Sequence, residues 1–322
     1  MRWTAAAAGL ALALCLCGPP AEAASGQACG RACLTRITDG YLAALAAHDP
    51  GRLRTTADVR FTEDGAVLKL GDGLWRTITG LKSYRLDFAD PETGRAGALV
   101  LAEENGVPAL MALRLKVRAG RIAEVETILA RKGELQSLQT DLLDKPLPIL
   151  SEAVPPGRRS SRAELVGIVD SYFDAIENSD GSRVPFADDG FRIENGVRTC
   201  NSQGPPAPGM PADFARLGAM KCADQLSTRI FSYIRQVRPR RYVVVDQERG
   251  LVLGVFRFNH PGDVAEVRTR DFGVVSMKSN PWATHPTSAL IAELFKIEDH
   301  KVQRVMAVIT QIPYRGATGW ER

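Results

Sequence analysis

The second half of this 322-residue chain repeats its first. Tyr41 opens Tyr41-Leu42-Ala43-Ala44-Leu45, and 22 residues later Glu63 sits in Phe61-Thr62-Glu63-Asp64-Gly65. Tyr172 opens Tyr172-Phe173-Asp174-Ala175-Ile176, and 22 residues later Glu194 sits in Arg192-Ile193-Glu194-Asn195-Gly196. Two further echoes keep the same order. Asp90-Pro91-Glu92-Thr93-Gly94 answers Asp246-Gln247-Glu248-Arg249-Gly250, and Leu113 to Val117 answers a stretch ending Leu294-Phe295-Lys296-Ile297. The period far exceeds the ~50 residues of solenoid units, so the pattern predicts two copies of one domain rather than a repeat array.

The amino-terminus reads as a targeting segment. Arg2 precedes an apolar run, Ala5 to Cys17, that is too short to cross a bilayer. Ala21-Glu22-Ala23 then fits a small-x-small cleavage site. The expected organisation is a signal peptide at 1–23, a first domain at 24–133, a linker at 134–160 and a second domain at 161–322. The mature protein is then periplasmic or secreted. Export leaves Cys29, Cys33, Cys200 and Cys222, which allow three pairings in an oxidising compartment. Local closure favours Cys29–Cys33 with Cys200–Cys222. A zinc site would need ligands gathered from distant segments, with no histidine beside any of these cysteines, so no metal is expected. A net charge of +4 and no Lys/Arg run beyond Arg238-Pro239-Arg240-Arg241 argue against nucleic acid as partner. No later stretch has the length or apolarity of a membrane span.

Leu34, Ile37, Tyr41, Leu42 and Leu45 recur at helical spacing, and His48-Asp49-Pro50-Gly51 ends that helix. A short helical or irregular piece is expected over 52–57, with Trp75 in a loop. Strands are expected over 84–88, 96–103, 109–117 and 121–130, the last two joined as a hairpin across Arg118-Ala119-Gly120. Pro146, Pro148, Pro155 and Pro156 mark the linker, and Ser161 is a fitting N-cap for a helix over 162–177. The fold class is therefore α+β: two tandem domains, each with amino-terminal helices on a curved antiparallel sheet. The second copy carries two insertions. Glu63 to Asp90 spans 27 residues, whereas Glu194 to Asp246 spans 52; Asp90 to Lys116 spans 26, whereas Asp246 to Lys296 spans 50.

The run Tyr41-Leu42-x-Ala44-Leu45-x-x-His48-Asp49-Pro50, the Thr62-Glu63-x-Gly65 turn and the hairpin from Arg114 to Glu126 together resemble the nuclear-transport-factor-2-like superfamily. That cone-shaped fold is shared with SnoaL-type polyketide cyclases, ketosteroid isomerase and scytalone dehydratase. The resemblance is close over 34–131 and looser over 163–312. Two tandem copies behind an export signal are similar to an exported family of bacteria and fungi. The resemblance implies a pocket between helix and sheet, used by cofactor-free lyases, isomerases and dehydratases on small apolar or aromatic molecules, lignin-derived ones among them. It also implies pairing of the copies as a pseudo-dimer within one chain, which can be monomeric. The chain departs from the pattern in having no His-Asp dyad in the strands of the first copy.

Six residues are candidate catalysts. Tyr41 and Tyr172 sit where a phenol can stabilise a developing oxyanion, or else serve as core aromatics. Glu63 and Glu194 are general-base candidates if buried, or else turn carboxylates binding backbone N–H groups. His260 and His285 lie in the second insertion, 259–286, which is expected to lie over the open end of the second cone as a lid. Trp75, Arg114, Arg192, Arg257 and Trp282 are the substrate-binding candidates. Glu124 and Glu126 face Arg114 and Lys116 on the paired strand, the pattern of a cross-strand salt-bridge ladder. Two functions stay open: an exported, cofactor-independent lyase, isomerase or dehydratase, and a non-catalytic small-ligand-binding or protein-interaction module.

Overall fold

Alternating apolar residues and two-residue turns build the same sheet twice. The computed structural model describes residue 1 and residues 29–204 and 212–321; the expected signal peptide with its cleavage site, and residues 205–209 of the proline-rich run, lie outside the described residues. The first domain runs α1 (Arg31–Ala46), β1 (Thr55–Glu63), β2 (Ala66–Leu68), α2 (Leu74–Thr77), β3 (Ile78–Asp90), β4 (Arg95–Glu104), β5 (Val107–Arg118) and β6 (Arg121–Arg131). Its six strands lie in the order β2-β1-β6-β5-β4-β3, with only the β1–β6 pair parallel. After α3 (Pro148–Ser151), the second domain runs α4 (Arg162–Asn178), β7 (Phe186–Glu194), β8 (Val197–Cys200), α5 (Ala212–Ala219), α6 (Cys222–Leu226), β9 (Gln236–Asp246), β10 (Leu251–His260), β11 (Glu266–Arg268), β12 (Val274–Ser276), α7 (Pro281–Thr284), β13 (Thr287–Glu298) and β14 (Lys301–Pro313). Its sheet order, β8-β7-β14-β13-β10-β9, is the first order again, with β7 parallel to β14.

Local chemistry explains the boundaries. Ser161 and Glu164 form a reciprocal capping box at the start of α4, satisfying two otherwise orphaned N–H groups. Ser179 ends that helix in the left-handed conformation. Asp64-Gly65 and Asn195-Gly196 turn at positive φ in matching places, as does Ala119-Gly120 in the β5–β6 hairpin. The α1 helix presents Leu34, Tyr41, Leu42 and Leu45 to one face of the first sheet. The α4 helix does the same for the second sheet with Leu165, Val169, Tyr172 and Phe173.

The opposite faces of the two sheets meet. Leu99, Leu101, Leu110 and Ile128 of the first join Val243, Leu253, Leu290, Leu294, Met306 and Val308 of the second in one apolar layer. The rim of that layer is closed by reciprocal bonds. Arg31 at the start of α1 reaches Asp246 and Glu248 of the second domain (2.5 and 2.6 Å). Arg162 at the start of α4 reaches Asp90 and Glu92 of the first (2.5 and 3.1 Å). The backbone amide before each aspartate completes the exchange: Ala89 donates to Asp246, and Val245 to Asp90.

Three expectations need correction. Residues 134–160 are not a free linker: Leu138, Leu143 and Leu150 are buried in the inter-sheet layer, and Gln139 donates to the carbonyl of Asn195. Prolines break helical periodicity there, and the segment is largely exposed between those buried anchors. The piece at 52–57 is mostly strand, since β1 begins at Thr55 after a single 3₁₀ turn at Pro50–Arg52. Trp75 lies in α2 and is buried, not in an open loop.

Both disulfides are present in the local pairing, Cys29–Cys33 and Cys200–Cys222. The second fastens the end of β8 to the start of α6. The two insertions pack on each other through Leu217, Ile230, Val267, Met277 and Ala283. Among the described residues, no helix is long and apolar enough to cross a membrane.

Candidate functional site

Apolar side chains and two large aromatic rings pack the interior of the first domain. Tyr41 accepts a hydrogen bond from Trp75 Nε1 at 3.2 Å, and the two rings meet edge to face at 5.3 Å. Leu74, Met111, Leu113, Val125 and Leu129 pack around them. Glu63 accepts the Leu74 N–H at 2.9 and 3.2 Å, so its carboxylate caps the short α2 helix. Gly73 makes this approach possible: it has φ +66°, and a Cβ there would fall 2.6 Å from Glu63. Burial lifts Glu63 to about 7, with the Leu74 amide and Arg131 pulling the other way. The turn-carboxylate role weighed from the sequence is the geometry found here.

The second domain puts charge where the first has hydrocarbon. Across the first sheet, Glu63 pairs with Thr127, which pairs with Leu113. Across the second, Glu194 pairs with Ala307, which pairs with Glu293. Directly opposed residues share a face, so Glu194 and Glu293 look the same way from strands two apart, about 10 Å between backbones. Ala307 is the residue on the strand between them. Two residues before each turn glutamate the same exchange recurs, with Phe61 in the first copy and Arg192 in the second.

Arg192 is the hub. Its Nη1 donates to the Tyr172 hydroxyl at 3.0 Å, Nη2 to Gln225 Oε1 at 2.7 Å and Nε to Thr199 Oγ1 at 2.9 Å. Nε also lies 2.8 Å from Glu194 Oε1. Its guanidinium carbon stands 5.9 Å from the ring centroid of Phe231. Burial works against its charge, but Glu194, Tyr172 and Glu293 outweigh burial and hold it protonated. Glu293 is 2 % exposed, and its Oε2 has no hydrogen-bond partner. Burial first, then the neighbouring Glu194, pushes it up to about 8 against the pull of Arg192. Tyr172, within hydrogen-bonding reach of Glu293, is pushed well above the ordinary phenol value by burial. At neutral pH the site thus holds a fixed cation, an ion-paired carboxylate, a neutral carboxylic acid and a phenol, walled by Phe173, Phe186 and Phe295.

Residues 158–309, just under half of the chain, match a family model described as a domain of unknown function (DUF8021). The match falls on the copy with the charged interior. A comparison with curated proteins finds no match.

The other candidates separate. His260 is buried at the end of β10, its ring 5.7 Å from Tyr233 and 4.9 Å from Trp282. Burial pushes it down to about 3, so it is neutral, with Nδ1 unpartnered. Tyr233, pushed up to about 12 by burial, also feels Glu194 and Arg192, which links this aromatic group to the hub. Trp282 packs on the same core, so the second insertion reaches the interior with this side chain as well as with the buried His260. His285 is exposed and touches Thr284. Arg257 points to the opposite face of β10 and donates to the carbonyls of Arg315 and Gly316, away from Glu194. Arg114 lies on the inter-sheet side, bound to Glu124 and Glu126 and stacked 4.3 Å from Trp320. That is the Arg114 half of the expected ladder, extended by Arg241 of the second domain reaching Glu126; Lys116 donates instead to the Thr93 carbonyl. Among the described residues, no group of three or more His, Cys, Asp or Glu is placed to hold a metal ion.

Glu293, Gln225 and Tyr233 escaped the sequence reading. Glu293 did leave a signal: it is the single charge in Ser288-Ala289-Leu290-Ile291-Ala292-Glu293-Leu294-Phe295. Such a charge either faces solvent or is buried for a purpose.

Proposed function

We propose that the second domain is a cofactor-independent acid–base site of nuclear-transport-factor-2-like type, and that the first is its structural partner in an intramolecular pseudo-dimer. The substrate class is a small apolar or aromatic carbonyl compound, and the reaction class is lyase, isomerase or dehydratase. The observation that carries this reading is the replacement of Phe61 and Leu113 by Arg192 and Glu293 at matching positions of an otherwise apolar interior. A buried guanidinium and a buried carboxyl group in place of hydrocarbon commonly cost stability, so a functional reason is needed for them. The full burial of Glu293 and the ion pair of Glu194 give the two carboxyl groups different surroundings, which suits one as acid and the other as base. Glu293, neutral near pH 7, is the acid. Glu194, ion-paired at the partly accessible rim, is the base that takes a proton from carbon next to the carbonyl. Tyr172 and Arg192 supply the donors that stabilise the resulting enolate. His260 and Trp282 form the aromatic wall. An exported setting, periplasmic or secreted, fits the two disulfides.

The test is carbon–hydrogen exchange. Small aryl ketones are incubated with the purified protein in D₂O and the proton next to the carbonyl is followed by NMR. Exchange is expected with the wild type and a fall of about 10²-fold or more in Glu194→Gln and Glu293→Gln. If the wild type neither exchanges nor binds any member of the panel, the acid–base reading is wrong.

A further inference from the structure

We propose a second ligand site, for a small organic dianion, in a basic cleft on the outside of the second domain. The cleft encloses about 750 Å³, within the ~300–1,000 Å³ of ordinary small-molecule sites. Three segments wall it: the carboxy-terminal end of α4, the loop 227–235 and the insertion at 268–270. Arg229, Arg235, Arg268 and Arg270 all line it and are exposed.

Charge in the cleft is only partly answered. Arg235 pairs with Asp263 at 3.2 Å and Arg270 with its neighbour Asp271 at 3.1 Å. Arg229 and Arg268 have no side-chain hydrogen bond or ion pair among the described residues, and the Ser232 hydroxyl is equally uncommitted. The one carboxylate in the lining, Glu177, is spent elsewhere: it accepts from the Val237 amide, Arg238 and Arg240. The carbonyl end of α4 contributes about half a negative charge, which leaves the two free guanidinium groups in excess.

The cleft is also held in place. The Arg270 amide donates to the Thr228 carbonyl at 3.1 Å, tying the insertion to the loop that carries Arg229. Thr228 Oγ1 accepts the Ile230 amide at 3.2 Å, and the Ser232 amide closes a turn on Arg229 O at 3.0 Å. Arg229 itself sits at φ +70°, a conformation that side-chain-bearing residues adopt at a cost. Two fork-shaped donors beside a free hydroxyl match planar or tetrahedral oxyanions, which they bind in bidentate fashion. A dicarboxylate and a phosphate ester share that chemistry. The site is independent of the acid–base reading, because none of its residues belongs to the Arg192 hub.

Calorimetric titration of the full chain at low salt, with phenyl phosphate and with succinate as probes, tests it. Saturable 1:1 binding of at least one probe is expected, and the preferred probe tells phosphate from carboxylate ligands. Arg229→Gln/Arg268→Gln should weaken binding at least tenfold. The charge-matched control Arg36→Gln/Arg121→Gln, on exposed positions of the first domain, should leave it within twofold. All four positions are exposed, so the variants should fold, and an unchanged melting temperature checks this. Absence of saturable binding by either probe, or equal weakening in both double variants, overturns the proposal.

Discussion

Glu293 shows how one residue can be read from its surroundings. It sits among apolar side chains with one oxygen unpartnered, so the folded state prefers it protonated. A carboxyl whose proton affinity rises on folding contributes most stability below its unfolded value near 4.5. That contribution is lost as pH rises towards about 8. Each tenfold change in proton affinity is worth about 1.4 kcal/mol, so the penalty is of the order of a few kcal/mol. Glu293→Gln keeps the shape and removes the titration. The variant should melt several degrees above the wild type at pH 9, with a much smaller gap at pH 5, by scanning calorimetry. A gap that does not change with pH would show that Glu293 does not titrate in this window. His260 works in the opposite direction: its stability contribution is lost as pH falls from about 6.5 towards about 3. The two groups together favour mildly acidic conditions.

At the scale of elements, the insertions differ from hairpin extensions because they form a layer of their own. The Gln225 amide donates to the Thr199 carbonyl at 2.6 Å and to the Leu217 carbonyl at 3.0 Å, while its oxygen holds Arg192. The Cys200–Cys222 bond fixes that excursion three residues from Gln225. Opening a loop of this size costs about 3 kcal/mol in the chain-entropy account. Cys200→Ser/Cys222→Ser should therefore lower the denaturation midpoint and, by loosening Gln225, reduce exchange activity more than Cys29→Ser/Cys33→Ser does. Parallel urea melts and exchange rates measure both. Equal effects of the two pairs would mean that the first insertion does not position Arg192.

For the whole molecule, the inter-sheet layer decides the architecture. Each sheet has two apolar faces, and a single helix covers only one of them. Stacking the copies buries the remainder, and the carboxy-terminal segment closes the seam. Trp320 Nε1 donates to Thr62 Oγ1 at 2.9 Å, and Arg60 Nε donates to the Gly319 carbonyl at 2.9 Å. The reciprocal clamps make a symmetric prediction. Asp90 is pushed up by burial but held below the usual carboxylate range by Arg162, Thr93 and the Val245 amide. Asp90→Asn and Asp246→Asn should each cost about 2 kcal/mol, since both remove a charged acceptor buried at the rim. Chemical denaturation reads this directly. A large cost for one and none for the other would break the equivalence of the two halves.

The sequence by itself determined what local chemistry and repetition can encode. Paired motifs gave two copies, Ser161 gave the start of α4, and cysteine spacing gave both disulfides. Alternation placed Arg257 on the face opposite Phe256 and Phe258, and it set Glu124 and Glu126 against Arg114. The tertiary structure alone decided which polar residues converge. Arg192 and Glu293 lie about a hundred positions apart in sequence and meet only because β14 pairs with both β7 and β13. Trp75 and Tyr41 pack one interior together with Phe61 and Leu113, while the second copy has Arg192 and Glu293 at the positions of those last two. Packing, which no single residue carries in its name, gave Glu63 of the first domain a helix to cap and left Glu293 of the second with an oxygen unpartnered.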